Sequence, residues 1–68
     1  MLTIKFESGK ERRVKAVSAE VQDGILKVYI YTKDRSQLLM STSFPAKDIR
    51  WALLDGSYVV GGADNRYD

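Results

Sequence analysis

With 68 residues, 44% of them apolar and 29% charged, one Pro, five Gly, no Cys and no His, the chain reads as one small globular domain. Lacking His and Cys, it has no Ser-His-Asp or Cys-His machinery, no thiol nucleophile and no zinc site of the usual ligand types. No enzymatic activity, cofactor or metal is therefore expected. Eleven Lys and Arg against nine Asp and Glu leave a net charge of +2, well short of the continuous basic stripe of a dedicated DNA-binding domain.

A core of this size supplies roughly 3–5 kcal/mol of net stability, and the composition offers no disulfide or metal to raise it. Efficient packing or a partner chain has to make up the margin. The first 13 residues include Lys5, Glu7, Lys10, Glu11, Arg12 and Arg13, so no apolar core of a secretory signal is visible there. No apolar run approaches the roughly 20 residues that span a bilayer. The expectation is a cytoplasmic protein with no membrane partner.

Short apolar runs alternate with turn dipeptides at intervals of about ten residues, the rhythm of antiparallel β-structure. Leu2, Ile4 and Phe6 alternate with Thr3 and Lys5 and predict a first strand with one apolar face. Residues 7–10 read as a turn. A second strand is expected over about 12–22. Within it Val14 and Ala16 share one parity while Val17, Ala19 and Val21 share the other, which predicts a bulge near Ala16 or Val17.

Asp23-Gly24 is a strong two-residue signal for a type I′ hairpin, since both central positions need positive φ. In the third strand, over 25–32, Leu26, Val28 and Ile30 point one way and Lys27, Tyr29 and Tyr31 the other. A charged loop over 33–36 leads to a fourth strand over 37–44, with Leu38, Met40 and Phe44 at matching parity. Pro45 ends it.

Beyond Pro45 two readings compete. One is a 3₁₀ turn near 45–48, a strand over 49–54 with Ile49, Trp51 and Leu53 on one face, and a second hairpin at Asp55-Gly56 leading to Tyr58, Val59 and Val60. The other is a helix over 45–54, with Pro45 at its start and Gly56 as its stop. The strand reading is preferred, because a helix would leave residues 58–60 without a pairing partner. The domain is assigned to 1–60, and residues 61–68 read as a flexible polar tail.

Five or six short antiparallel strands in a meander, with a turn after a Pro before the fifth, resemble the architecture of a small SH3-like or Sm-like barrel. The alternative is a four-stranded sheet plus one helix. Such a fold hosts many functions and selects none of them.

Three constellations are candidates for function. Lys10, Arg12, Arg13 and Lys15 crowd six positions and could hold phosphates, although charged side chains also keep a sheet edge soluble. Tyr29 and Tyr31, with Lys27, Lys33 and Arg35, form a candidate partner-binding face. Rings flanked by cations can stack bases, and they can equally pack against another protein. Trp51, the single Trp, is expected in the core; exposed, it would anchor an interface. No catalytic or metal-binding residues are assigned, and Asp48, Asp55 and Asp64 lack the spacing of a calcium loop.

These features point to a small non-catalytic interaction module that binds a protein partner through a sheet face or edge, as an accessory or inhibitor protein of phage or bacterial origin would. Two alternatives stand beside it. One is a nucleic-acid binder using the basic hairpin and the Tyr platform, and the other a self-assembling structural subunit. The thin core and open strand edges make a homo-oligomer and a monomer equal expectations.

Overall fold

The computed structural model describes residues 1–61; the tail expected over 61–68 lies outside the described residues from position 62 onward. Seven strands run in the order β1 (Leu2–Phe6), β2 (Glu11–Val14), β3 (Ser18–Gln22), β4 (Ile25–Tyr31), β5 (Leu38–Pro45), β6 (Ile49–Leu54) and β7 (Ser57–Val60). They form two antiparallel sheets, one ordered β2-β1-β6-β7 and the other β3-β4-β5. The all-β class holds, as does the 3₁₀ turn, which spans Ala46–Asp48. No helix forms over 45–54.

Seven strands appear where five or six were expected because residues 12–22 are divided between the sheets. The change of parity at Ala16 and Val17 marks a crossover rather than a bulge: β2 ends at Val14, and β3 begins at Ser18 in the other sheet. Ala16 is buried at the pivot. Both Asp-Gly turns adopt the positive φ that a tight hairpin requires, 54° and 74° at Asp23 and Gly24, and 47° and 89° at Asp55 and Gly56.

The core lies between the sheets. Leu2 and Ile4 of β1, Leu26 and Val28 of β4, and Ala52 of β6 are fully buried, joined by Ala16 and Ile49. All seven are aliphatic and two are alanines, so apolar burial is modest for the chain length. At one end the Phe6 and Phe44 rings meet edge to face with centroids 5.7 Å apart, tying β1 to β5 across the sandwich.

Register shifts at three points reset which side chains face inward. Ser41 has no partner in β4, Arg50 none in β1 and Val59 none in β6; each acts as a bulge that reverses parity on one side of it. Leu38 and Met40, expected on the Phe44 face, consequently stand opposite Tyr31 and Tyr29 on the outer face. Trp51 and Leu53 likewise oppose Lys5 and Thr3 on the outside of their sheet, while Ile49 opposes Phe6 on the inside. Trp51 is therefore only half-buried and packs edge to face on Tyr58, with centroids 6.3 Å apart.

Candidate functional site

The four cations grouped by the sequence do not share a surface. Strand β2 pairs Arg12 with Ile4 and Arg13 with Thr3, so the pleat sends the two arginines to opposite faces. Arg12 lies on the core side of the edge, its guanidinium over Phe44. Lys10 and Arg12 line a shallow cleft of about 460 Å³ together with Phe6, Ser8, Glu7 and Asp48, whose carboxylates offset the cations. Glu7 also accepts an ion pair from Arg50 Nε at 3.5 Å. Lys15 sits apart, on the crossover between the sheets.

The β4 face divides as well. Leu26 and Val28 point into the core, and Lys27, Tyr29 and Tyr31 point outward. Of these three, two are engaged by β3. Lys27 Nζ donates to Gln22 Oε1 at 2.9 Å, and the Tyr29 hydroxyl donates to Glu20 Oε1 at 3.2 Å. Desolvation raises the Tyr29 pKa above its ordinary value, and the Glu20 carboxylate adds to the rise. Tyr31 makes no side-chain hydrogen bond among the described residues, and its ring is available.

The surface around Tyr31 contains residues that alternation had placed inside. Tyr31, Leu38, Leu39 and Met40 are 47%, 48%, 51% and 55% exposed. Leu39 opposes Ile30 on the inward face of the sheet, so its exposure shows that the far end of the β4–β5 hairpin extends past the core. Apolar side chains stand on both faces there. The available sequence signal was the absence of any charge between Arg35 and Lys47.

This end of the hairpin also carries an open strand edge. β5 is the outer strand of its sheet, and edges of this kind are usually guarded by charge, bulges or Pro. β2 carries Glu11, Arg12 and Arg13, β3 carries Glu20, and the short β7 lies beside β3. β5 has only the Ser41 bulge and the terminal Pro45. Its segment from Leu38 to Met40 is uncharged and apolar.

The loop joining β4 to β5 is held by one acid. Asp34 Oδ1 accepts from Thr32 Oγ1 at 2.6 Å, Ser36 Oγ at 2.7 Å and the Ser36 amide at 3.0 Å. These bonds, led by that from Thr32, lower its pKa to about 2. Arg35 adopts a positive φ of 60° beside it. Among the described residues no group of three or more Asp or Glu side chains could hold a metal ion, and no helix is long and apolar enough to cross a membrane. No protein-family model, curated protein or solved structure matches the chain.

Proposed function

We propose that the protein is a non-catalytic interaction module that binds a protein partner along the far end of the β4–β5 hairpin. The partner adds a strand to β5 and covers Tyr31, Leu38, Leu39 and Met40. One observation supports this reading above the others: four large apolar side chains, half-exposed on both faces of a hairpin, flank an uncharged strand edge. Backbone pairing supplies affinity in strand addition, and the alternating side chains supply specificity.

A second copy of the chain is the other occupant this edge admits. Two uncharged β5 strands can meet antiparallel without like-charge repulsion, as a two-fold interface requires.

The test is capture of a partner from cell lysate, with nuclease and at high salt, followed by amide hydrogen exchange on the purified complex. Protection gained at Leu38–Met40 and loss of capture in Leu39→Lys with Met40→Lys are expected. A complex that leaves β5 exchange unchanged overturns the reading. Light scattering across a concentration series identifies self-association, which shows as mass that doubles with concentration.

A further inference from the structure

We infer that the cleft at the crossover between the two sheets binds a segment of single-stranded nucleic acid, with Tyr31 stacking on a base and Lys15, Lys33 and Arg35 holding phosphates on either side of it. This site shares Tyr31 with the surface proposed for a protein partner but uses no residue of β5, and it does not depend on that reading. It joins members of two constellations that the sequence keeps 16 or more positions apart.

The cleft exists because β3 leaves β4 early. The Val17 amide donates to the Tyr29 carbonyl oxygen at 2.9 Å, and upstream of that bond the chain departs through Ala16 and Lys15 for the other sheet. Tyr31 is left with no neighbour on this side. Alternation along β4 turns the Tyr31 amide the same way as the Tyr29 carbonyl, into the gap. The resulting cleft, of about 640 Å³, is lined by Met1, Lys15, Ala16, Val17, Ile30, Tyr31, Thr32, Lys33 and Arg35. That volume suits a nucleotide-sized ligand rather than a bare anion.

Its charge is one-sided. Lys15 stands on the crossover, and Lys33 and Arg35 stand on the β4–β5 loop; no acidic side chain lines the cleft. None of the three cations forms an ion pair among the described residues, where the pairs are Met1 with Asp55 and Arg50 with Glu7. Asp34, the one acid in the loop, has its carboxylate turned onto Thr32 and Ser36, where it fixes the loop that carries Lys33 and Arg35. The Lys10–Arg12 cleft shows the opposite pattern, with two carboxylates against two cations.

A ring between cations distinguishes this ligand from other anions. Bases of any sequence stack on an exposed aromatic face, and the flanking phosphates meet Lys and Arg. Val17, exposed at the cleft, adds an apolar surface there. A run of Asp and Glu would use the cations but has no aromatic ring to stack on Tyr31.

Fluorescence anisotropy of a short labelled oligothymidylate with the full chain, titrated over a range of salt, tests the assignment. Affinity should fall with salt at a slope of about −2 in logarithmic terms, since each of three phosphate contacts on a single strand contributes roughly −0.7. Lys33→Ala with Arg35→Ala should reduce that slope by more than half. Tyr31→Ala should weaken binding by about tenfold, and Tyr31→Phe should retain it, because the stack uses the ring and not the hydroxyl.

Tyr31, Lys33 and Arg35 are exposed, and circular dichroism verifies that the variants keep their fold. Arg12→Ala with Arg13→Ala, and Leu39→Ser with Met40→Ser, should leave the titration unchanged, which separates this site from the basic hairpin and from the β5 edge. The proposal is overturned by absence of binding, by a slope insensitive to Lys33 and Arg35, by loss of binding in the Arg12 and Arg13 variant, or by equal displacement with polyglutamate.

Discussion

The guanidinium carbon of Arg12 lies 5.6 Å from the centroid of the Phe44 ring. This contact spans the gap between β2 and β5, two strands of different sheets with no hydrogen-bond ladder between them. Phe44 in turn meets Phe6, so one cation and two rings close that end of the sandwich. Arg12 contributes here through its alkyl stem as well as its charge. Its neighbour Arg13, sent to the outer face by the pleat, has no such role.

Arg12→Ala should therefore destabilise the fold by about 1 kcal/mol, the sum of an exposed cation–π contact and some lost apolar cover. Arg13→Ala should stay within about 0.5 kcal/mol of the parent, as surface changes usually do. Urea denaturation followed by Trp51 fluorescence distinguishes the two. Equal effects would mean that Arg12 is an ordinary edge charge.

The Ser41 bulge predicts a sharp contrast between Val28 and its near neighbour across the sheet. Val28 is fully buried and Met40 is more exposed than not, although strict alternation would have placed both inside. Leu26→Ala or Val28→Ala should cost about 2 kcal/mol or more, a large part of the roughly 3–5 kcal/mol available to a domain of this size. Met40→Ser should change stability by less than about 0.5 kcal/mol. A comparable loss in Met40→Ser would place that side chain in the core and remove the apolar edge.

What was legible in the sequence was local. Asp23-Gly24 and Asp55-Gly56 specify their turns because two adjacent residues must both take positive φ, and no distant contact is needed to see it. The burial of Leu2, Ile4, Leu26 and Val28 follows from alternation within single strands. The bulges at Ser41, Arg50 and Val59 were not legible, because an unpaired residue is defined by the register of a neighbouring strand and not by its own side chain. Parity carried through those points therefore placed Leu38, Met40 and Trp51 on the wrong faces.

The cations follow the same logic. Lys10, Arg12, Arg13 and Lys15 are close in sequence, but the pleat and the crossover scatter them. Lys15 joins Tyr31, Lys33 and Arg35 only because the chain changes sheets at Ala16. Tyr29, paired with Tyr31 by spacing, is drawn away by Glu20.

Gly61 makes a prediction at the end of β7. Its φ is +75°, and a Cβ built there would collide with the Arg50 carbonyl oxygen on the neighbouring strand. Gly61→Ala should therefore destabilise the fold by more than Gly24→Ala, where φ is +74° but nothing lies within 4 Å of the added atom. The left-handed conformation alone costs about 1–2 kcal/mol, and the collision adds to it at Gly61. Paired urea titrations compare the two, and equal losses would mean that the backbone near Arg50 yields without cost.

Asp34 links the hairpin loop to pH. Its carboxyl accepts three hydrogen bonds, and its pKa is lowered from an ordinary 3.8 to about 2. A carboxyl whose pKa is depressed by folding stabilises the folded state when ionised, so the contribution is complete above about pH 4 and is lost as pH falls through about 2. Acidification over that window should release the Thr32 hydroxyl and the Ser36 amide while the two Asp-Gly turns, whose geometry is set by backbone conformation, persist. A carboxyl carbon titration by NMR should find the Asp34 midpoint near 2, and the Ser36 amide shift should follow it with the same midpoint. In Asp34→Asn the Ser36 amide should no longer respond over this window. A midpoint in the ordinary carboxylate range would show that the three bonds do not hold in solution, and the loop carrying Lys33 and Arg35 would then lose its fixed geometry.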